Sequence, residues 1–562
     1  MSIARVQIVR LAIAYFFISA SFVIARDIFV QDYDSDIDHH MYFGQRLLFG
    51  ELIWTREIYD KFPIIQYLFA IPAYFESPRV WFLLSALTLL ISTWALYHAT
   101  PFLMSLPRLP NPGKMRSLIP LLSSSFYLYL STITPPSINH VTSFTVSCLI
   151  VSVCLMTKYI NRDNKTGKII SHVIFVASCI FASIALSIRP YLAIPSIQII
   201  LWIVAKDALN LFRNDLGYSN GSAQNLLQSG MMAIRRTAIW TMLTVTSLVI
   251  VNFVPYLLSN NIDVIYNGIS HNSQKLNPQL PLDILSEQWN TVNNTSNWYY
   301  IFLILSSCVI IIYIVLFIYK KHLHRSEQII DELERNIIYN SGLDLLFGVL
   351  FPLASLEIII LSRHWWDHYW QMFIVFGLLH FMVLVRFAFV KFPSAFLDRN
   401  GYSYIVATCA LAIGTAVGSN ANHVAHHPQA GRLQEIRLFL NERRADLLAA
   451  DFLDIGDMYS HWKLRESRHG FPHTQNIQHI ILGWYSSLHR IQHLPFPYTR
   501  EELCNQVKEH GPSVVFMNFA YMFSCLLSKE SNYTLTRNTA ELIIFVRDPM
   551  THSSVATGPA TR

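Results

Sequence analysis

The sequence predicts an α-helical, polytopic membrane protein that crosses the bilayer about eleven times and ends in an extracytoplasmic α/β domain. Of its 562 residues, 52% are hydrophobic and only 14% are charged, whereas about a quarter of the residues in soluble domains are charged. Apolar runs close to the spanning length of about 20 residues recur up to residue 418 and stop there. The basic residues behind the net charge of +6 lie mainly between these runs, so nucleic-acid binding is not expected.

The apolar runs define a membrane domain at residues 1–418. The segment Pro63–Phe75 is shorter than a span and is predicted to be a short or re-entrant element. The predicted spans are Ile8–Ala25, Val80–Met104, Leu118–Ile133, Val141–Met156, Ile169–Ile188, Tyr191–Ala205, Ala238–Leu258, Trp298–Tyr319, Leu343–Leu361, Gln371–Val385 and Tyr402–Val417.

Lysine and arginine residues are concentrated in alternate loops, and this bias predicts the orientation. Thr134–His140 has no Lys or Arg, and Asn260–Asn297 has only Lys275. With the N-terminus inside, the first loop (residues 26–62) and everything after Gly418 are extracytoplasmic. We therefore expect a multi-pass protein of the plasma (inner) membrane. The loops predicted to be cytoplasmic carry their Lys and Arg within 108–116, 158–168, 206–236, 320–335 and 386–399.

Residues 419–562 are predicted to form the α/β domain, because short apolar runs alternate there with helix-like stretches such as Thr499–Glu509. Roughly 130 residues are enough for a separate core. Cys504 and Cys525 could form a disulfide bond if this domain is extracytoplasmic, although their spacing alone does not establish one. The predicted strands are Leu447–Phe452, Val514–Met517 and Leu542–Val546.

The first extracytoplasmic loop is acidic and directly follows a span. Carboxylates are costly to keep at a bilayer surface, so we expect them to have a function. Tyr42, Leu47 and Leu48 could form the apolar side of a short helix, which would place Asp38 near the helix N-terminus. The aspartates of the loop are Asp32, Asp34, Asp36 and Asp38, and His39 and His40 follow them.

Three interpretations of this loop are open. An ionised Asp can act as a general base that takes a proton from an attacking hydroxyl or amine. Asp36, Asp38 and His39 can also hold Mg²⁺ or Mn²⁺, since carboxylate oxygens suit these ions. The third interpretation is a solvated helix cap, a position at which Asp is favoured in any case.

Basic residues lie on the same predicted side of the membrane as the acidic loop. Lys61 opens the next apolar element within Asp60-Lys61-Phe62-Pro63, where Pro63 favours a helix start. This lysine is either a phosphate ligand or an interfacial anchor. Arg189 and Arg363 break the positive-inside bias, and an Arg kept on the outer side suits a bound anion. These residues predict a pocket for a phosphate-bearing ligand near the outer leaflet.

These motifs resemble those of the GT-C superfamily of integral membrane glycosyltransferases. The resemblance is closest to the bacterial branch that includes aminoarabinose transferases, protein O-mannosyltransferases and rhizobial galacturonosyltransferases. The family's Asp-Glu-x-x-Tyr motif corresponds to Asp38–Tyr42, its small-x-x-Leu-x-x-Gly stretch to Gly44–Gly50, and its acidic-Lys-Pro-Pro motif to Asp60–Pro63. The pair His368-Tyr369 resembles a His-Tyr pair near the last spans of that branch.

The sequence departs from the family pattern at two positions. His39 stands where the family has Glu, and Phe62 stands where it has the first Pro of its Pro-Pro pair. The first departure makes Asp36, two residues before Asp38, a second candidate for the catalytic base.

The resemblance implies transfer of a sugar from a polyprenyl-phosphate donor to a glycolipid, polysaccharide or protein acceptor on the extracytoplasmic face. A single displacement with inversion at the anomeric carbon is the implied mechanism, with Asp38 or Asp36 as the base. The sugar and the acceptor are open at this stage. The residues expected to bind substrate are Asp60, Lys61, Arg189, Arg363, His368 and Tyr369.

Two other classes of protein fit parts of the sequence. A transporter or flippase for a lipid-linked or anionic solute would place titratable residues near the bilayer midplane. Glu357 is the main residue of that kind, whereas the other polar groups gather at one face, which favours an enzyme. A non-catalytic assembly factor that binds partners through its C-terminal domain is the third class, because a fold alone does not imply a function.

Overall fold

The structure is a computed structural model. The predicted spans Ile8–Ala25, Trp298–Tyr319, Leu343–Leu361 and Tyr402–Val417 lie outside the residues that it describes, as do the predicted helix Thr499–Glu509 and the cysteines Cys504 and Cys525. The described residues are 35–48, 50, 52, 62–75, 77–104, 115–133, 140–161, 168–215, 223–274, 371–372, 374–380, 382, 438–439, 442, 452–455, 478–480, 514–517, 526–527, 532–538 and 543–547.

The described part of the first half of the chain is almost entirely helical. A 3₁₀ helix at Pro190–Leu192 joins two of the helices, and its first residue is a proline, which is pre-shaped for a helix start. The α-helices are α1 (Ser35–Leu48), α2 (Ile64–Tyr74), α3 (Pro78–Leu103), α4 (Met115–Ile133), α5 (Val141–Ile160), α6 (Lys168–Ile188), α7 (Ala193–Asp215), α8 (Ala223–Leu258) and α9 (Ile262–Gln274).

Within the described residues, five helical segments are long and apolar enough to cross a membrane. They coincide with five of the predicted spans, and the chain is an integral, polytopic membrane protein. In addition, α4 lies at the segment predicted at Leu118–Ile133, and α2 is the short element predicted at Pro63–Phe75. The five segments are Pro78–Leu103, Val141–Ile160, Ile169–Ile188, Pro190–Ala208 and Gly230–Leu258.

The two sides of α3 show why these helices need a lipid environment. Trp81 and Phe82 are buried on the side that packs against the protein. The opposite side exposes a continuous row of large apolar side chains, which is unfavourable in water and stable against acyl chains. The exposed row consists of Leu83, Leu87, Leu90, Ile91 and Trp94.

Small polar side chains hold the interior of the helical bundle together. Ser152 of α5 and Ser178 of α6 donate their hydroxyls to each other's backbone carbonyl oxygens, at 2.8 and 2.9 Å. The indole N–H of Trp240 on α8 donates to the Ser178 hydroxyl at 3.2 Å. Small residues at helix interfaces let backbones approach closely in membranes, so these contacts fix α5, α6 and α8 as one packed group.

Charged residues of α7 and α8 lie toward the end of the helices that is predicted to face the cytoplasm. The Lys206 ammonium donates to the Leu103 carbonyl at the end of α3, at 2.6 Å, and lies 4.8 Å from the centre of the Trp202 ring. Arg236 and Asp207 form an ion pair at 2.5 Å. The charged groups of Lys206, Asp207 and Arg236 therefore have hydrogen-bond or ion-pair partners within the protein.

The described C-terminal strands form one mixed sheet in the order β2-β1-β3-β5-β4. β1 pairs in parallel with β2 and with β3, whereas β5 is antiparallel to both β3 and β4. Parallel neighbours need crossover connections between them. The strands are β1 (Phe452–Ile455), β2 (Gln478–Ile480), β3 (Val514–Met517), β4 (Tyr533–Asn538) and β5 (Ile543–Arg547).

Two of the three predicted strands are confirmed. Val514–Met517 has the predicted bounds, and the strand predicted at Leu542–Val546 is β5. The strand predicted at Leu447–Phe452 lies outside the described residues except for Phe452, which is the first residue of β1.

The chain divides into two compact units. The first contains α3 to α9, the start of α2 up to Tyr67, and the segment 371–382. The second contains α1, the remainder of α2 from Leu68, and the C-terminal sheet. The predicted domain boundary after residue 418 stays a prediction.

The C-terminal sheet is expected to lose stability at alkaline pH through Tyr533. Burial raises the pKa of this tyrosine to about 12, and Arg547, 5.9 Å from the ring centre, opposes part of the rise. The folded state therefore holds the phenol proton more tightly than the unfolded chain, and stability falls as the pH rises from about 10 through about 12. Thermal unfolding of Tyr533→Phe should show a smaller loss between pH 9 and 11.5 than the wild type, whereas Tyr266→Phe, at an exposed tyrosine, should not.

Candidate functional site

The acidic motif of the first loop lies on α1. The predicted short helix is confirmed, and Asp36 and Asp38 are in its first turn. Ile37 and Met41 are fully buried, whereas Leu48 is 46% exposed. The apolar side predicted at Tyr42, Leu47 and Leu48 stays a prediction, because an apolar side that lies at the membrane interface would also be exposed. Ile37, Met41 and Gly44 are buried and follow the i, i+4, i+7 spacing of one helix face.

The helical backbone places positions 36 and 38 on different sides of α1. Two residues along an α-helix correspond to about 200° around its axis, and such pairs do not face each other. Position 39 follows position 36 by three residues and shares its side, whereas Asp38 shares a side with Tyr42. The two candidate positions for the base are therefore not equivalent on the helix.

The contact between α1 and α2 depends on a glycine. The ring of His40 lies 4.9 Å from that of Phe69. A Cβ atom at Gly44 would meet the Phe69 carbonyl oxygen at 2.2 Å and the Ala70 nitrogen at 2.7 Å, so no other residue fits without a backbone shift. Gly50 follows the helix with a φ of +81°, a conformation that glycine adopts without strain.

The basic motif stands immediately before α2. Asp60 and Lys61 lie outside the described residues. Phe62 and Pro63 supply the first carbonyl acceptors of the helix, for the N–H groups of Ile65 at 3.2 Å and Gln66 at 2.9 Å. The prediction that Pro63 opens a helix is thereby confirmed.

Arg189 is buried at the junction between α6 and the 3₁₀ helix. Only 3% of its surface is exposed. Its guanidinium donates from Nε and from Nη2 to the hydroxyl oxygen of Thr142, at 3.1 and 2.9 Å. Thr142 lies at the start of α5, where His140 caps the helix by accepting the Thr142 N–H at its Nδ1. The cation predicted from the charge bias is thus held beside a helix N-terminus.

Gln371, which follows the His368-Tyr369 motif in the chain, contacts the start of α5. Arg363, His368 and Tyr369 lie outside the described residues. Gln371, two residues after Tyr369, is fully buried and accepts a hydrogen bond from the Ser143 hydroxyl at 2.7 Å. The segment that follows this motif therefore contacts the start of α5, next to Thr142.

Asn252 of α8 links two further segments and is a residue that the motifs do not predict. Its Oδ1 accepts the backbone N–H of Ile64 at 2.9 Å, and its Nδ2 donates to the Ser187 hydroxyl at 2.7 Å. Phe62 packs edge-on against the neighbouring Phe253, with 6.1 Å between ring centres. The signal available in the sequence is an amide within the apolar segment Ala238–Leu258.

Four parts of the first unit therefore meet at one end of the helices. They are the start of α5, the end of α6, the start of α2 and the segment at Gln371, and Asn252 and Arg189 connect them. Three of the parts lie within three residues of a predicted substrate-binding residue along the chain, whereas the start of α5 does not. Among the described residues, no group of three or more His, Cys, Asp or Glu side chains could hold a metal ion.

Two solved structures are similar to this chain. One is ArnT from Cupriavidus metallidurans bound to undecaprenyl phosphate, at 12% identity, with 99% of each chain covered and a TM-score of 0.47. The other is the same protein in the apo state, at 12% identity, with 96% of this chain and 97% of that chain covered and a TM-score of 0.41.

No protein-family model and no curated protein matches the sequence. Both TM-scores are below 0.5, so the function proposed for this chain rests on its own residues.

Proposed function

We propose that the protein is a membrane glycosyltransferase that moves a sugar from a polyprenyl-phosphate donor to an acceptor on the extracytoplasmic face. The observation that carries this proposal is the meeting, at one end of the bundle, of Arg189 with the segments that adjoin Lys61 and His368-Tyr369. These are the positions that the GT-C resemblance assigns to substrate binding.

The chemistry of arginine suits a phosphate ligand at this place. Arginine matches the geometry of phosphate oxygens, and hydrogen bonds between charged groups are about twice as strong as neutral ones. Lys61 and Arg363 would add positive charge around the same phosphate.

The chemistry needs one base and a stabilised leaving group. The acceptor oxygen or nitrogen loses its proton to Asp38, or to Asp36, and attacks the anomeric carbon. The bond from that carbon to the phosphate oxygen breaks, and the electron pair leaves with the lipid phosphate. The cations stabilise the developing charge, so no general acid is needed. The start of α1 favours a negatively charged carboxylate, as a base requires.

The described spans give little support to the transporter alternative. Their interior polar groups include serine hydroxyls that hydrogen-bond to neighbouring helices, as at Ser152 and Ser178. The ion pair of Asp207 with Arg236 and the buried Lys206 lie toward one end of the helices. Glu357 lies outside the described residues. A transport mechanism would instead need titratable groups along a central path.

The test is the release of polyprenyl phosphate from synthetic polyprenyl-phosphate-linked pentose, hexose and uronic acid donors. The purified protein in proteoliposomes is given each donor with glycolipid, polysaccharide or protein acceptors. Acceptor-dependent release by the wild type is the expected result. Movement of an intact donor across the bilayer without bond cleavage would contradict the proposal and support the flippase.

The Arg189→Gln variant is expected to raise the donor KM by about tenfold to a hundredfold. Charge-assisted hydrogen bonds contribute about 1.5–3 kcal/mol, and about 1.4 kcal/mol corresponds to a factor of ten. Arg79→Gln is the matched control, because Arg79 is exposed on α3 and should leave the donor KM unchanged. An unchanged donor KM in Arg189→Gln would remove this residue from the phosphate site.

A further inference from the structure

We propose that Asn252 is a positioning residue that holds the start of α2, which follows Lys61 in the chain, in a fixed place relative to Arg189. Its effect on sugar transfer rests on the proposed function, whereas its effect on the start of α2 does not. The residue lies in the apolar part of α8 and was not assigned to substrate binding by any motif.

Both the oxygen and the nitrogen of the Asn252 carboxamide form hydrogen bonds. The side chain is fully buried. Its oxygen accepts the N–H of Ile64, and its nitrogen donates to the Ser187 hydroxyl at 2.7 Å and to the Leu248 carbonyl at 2.8 Å. A buried amide satisfied on both sides has a defined orientation, because rotating it would break all three hydrogen bonds.

Both partners lie next to predicted phosphate ligands. Ile64 is the first residue of α2 and follows Lys61 by three residues, a distance of at most about 11 Å along an extended chain. Its N–H is one of the donors that a helix start leaves without an intrahelical acceptor. Ser187 precedes Arg189 by two residues. One side chain therefore connects the backbones that carry the two cations.

The chemistry of the bridge requires asparagine. Aspartate would keep the acceptor for Ile64 but lose the donor to Ser187, and leucine would lose both while keeping the same number and branching of side-chain heavy atoms. The rings of Phe62 and Phe253 would still pack together. We therefore expect Asn252→Leu to displace the start of α2 while the bundle stays folded.

The first measurement reports a displacement of the start of α2 through the labelling rate of a cysteine at position 61, and it does not depend on enzymatic activity. A cysteine is introduced as Lys61→Cys, and its rate of labelling by a membrane-impermeant maleimide is measured in proteoliposomes against the chain without that cysteine. Adding Asn252→Leu should change this rate at least threefold. Asn261→Leu is the matched control, since Asn261 bonds only locally to Ser259. Tyr266→Cys, at an exposed site on α9, reports any general loosening and should label at an unchanged rate.

The second measurement uses the transfer reaction. In the chain with native Lys61, Asn252→Leu should raise the donor KM at least tenfold and leave the acceptor KM unchanged. Ser187→Ala should raise the donor KM as well, and should add nothing in the Asn252→Leu background, because the two residues act through one bridge.

The outcomes separate the two proposals. An unchanged labelling rate at position 61 in Asn252→Leu would overturn the positioning role, whatever the protein catalyses. Equal changes at positions 61 and 266 would reduce Asn252 to a general stabilising contact and also overturn it. A selective change at position 61 with no transfer by the wild type would support the bridge and reject the glycosyltransferase.

Discussion

The Asp38→Asn variant is expected to lower kcat for sugar transfer by about 10²- to 10⁴-fold, the usual contribution of a general base. Asparagine has nearly the same shape as aspartate but cannot accept the proton of the attacking acceptor. The donor KM should stay within a factor of about three, because the phosphate is bound by cations on other segments. The measurement is acceptor-dependent release of polyprenyl phosphate at saturating donor.

Asp36→Asn is the informative partner of this variant. The two positions lie on different sides of α1, so the substitutions are not expected to have equal effects. Asp263→Asn, at an exposed residue of α9, controls for the loss of one negative charge. A large loss in Asp36→Asn alone would transfer the role of base to Asp36. Full activity of the folded Asp36→Asn, Asp38→Asn double variant would show that neither residue is the base.

Substituting Gly44 with Ala is expected to destabilise the contact between α1 and α2 by about 1–3 kcal/mol. The new methyl group would lie 2.2 Å from the Phe69 carbonyl oxygen, and a backbone atom cannot move aside as a side chain can. The higher helix propensity of alanine recovers less than about 1 kcal/mol of this loss. Thermal unfolding of the purified protein in detergent should therefore show a lower midpoint.

Gly230 provides the control for this substitution. It also lies in a helix, but a Cβ atom there would meet nothing within 4 Å. Gly230→Ala should therefore leave the midpoint unchanged or raise it slightly, since alanine loses less entropy than glycine on folding. Equal midpoints for the two variants would mean that α1 and α2 separate easily, and that Gly44 is not needed for their contact.

Features of the chain that depend on local sequence were predicted well. The described spans follow from uninterrupted apolar runs, and the strand at Val514–Met517 follows from a short apolar run. Arg189 departs from the charge bias of the alternate loops, and the structure buries it at the end of α6, while its role as a ligand stays a prediction. In each case the residues that carry the sequence pattern are the residues that form the structural feature.

Features that depend on distant partners were missed. The acceptor of the Ile64 N–H is 188 residues away in the chain, and the partner of the Asn252 amide nitrogen is 65 residues away. The strand β4 has four of its six residues exposed, so it lacks the apolar alternation that would reveal it.

The reciprocal hydrogen bonds of Ser152 and Ser178 have a consequence at the far end of their helices. Thr142 lies ten residues before Ser152 on α5, about 15 Å at 1.5 Å per residue. Arg189 lies eleven residues after Ser178, just past the end of α6, about 16 Å by the same measure. Sliding one helix past the other by a single residue would break the serine contacts and the Arg189–Thr142 contact together. The two contacts together therefore fix the position of α5 relative to α6 along the helix axis. In the proposed function, the spacing between Thr142 and Arg189 is thus set before a lipid phosphate binds.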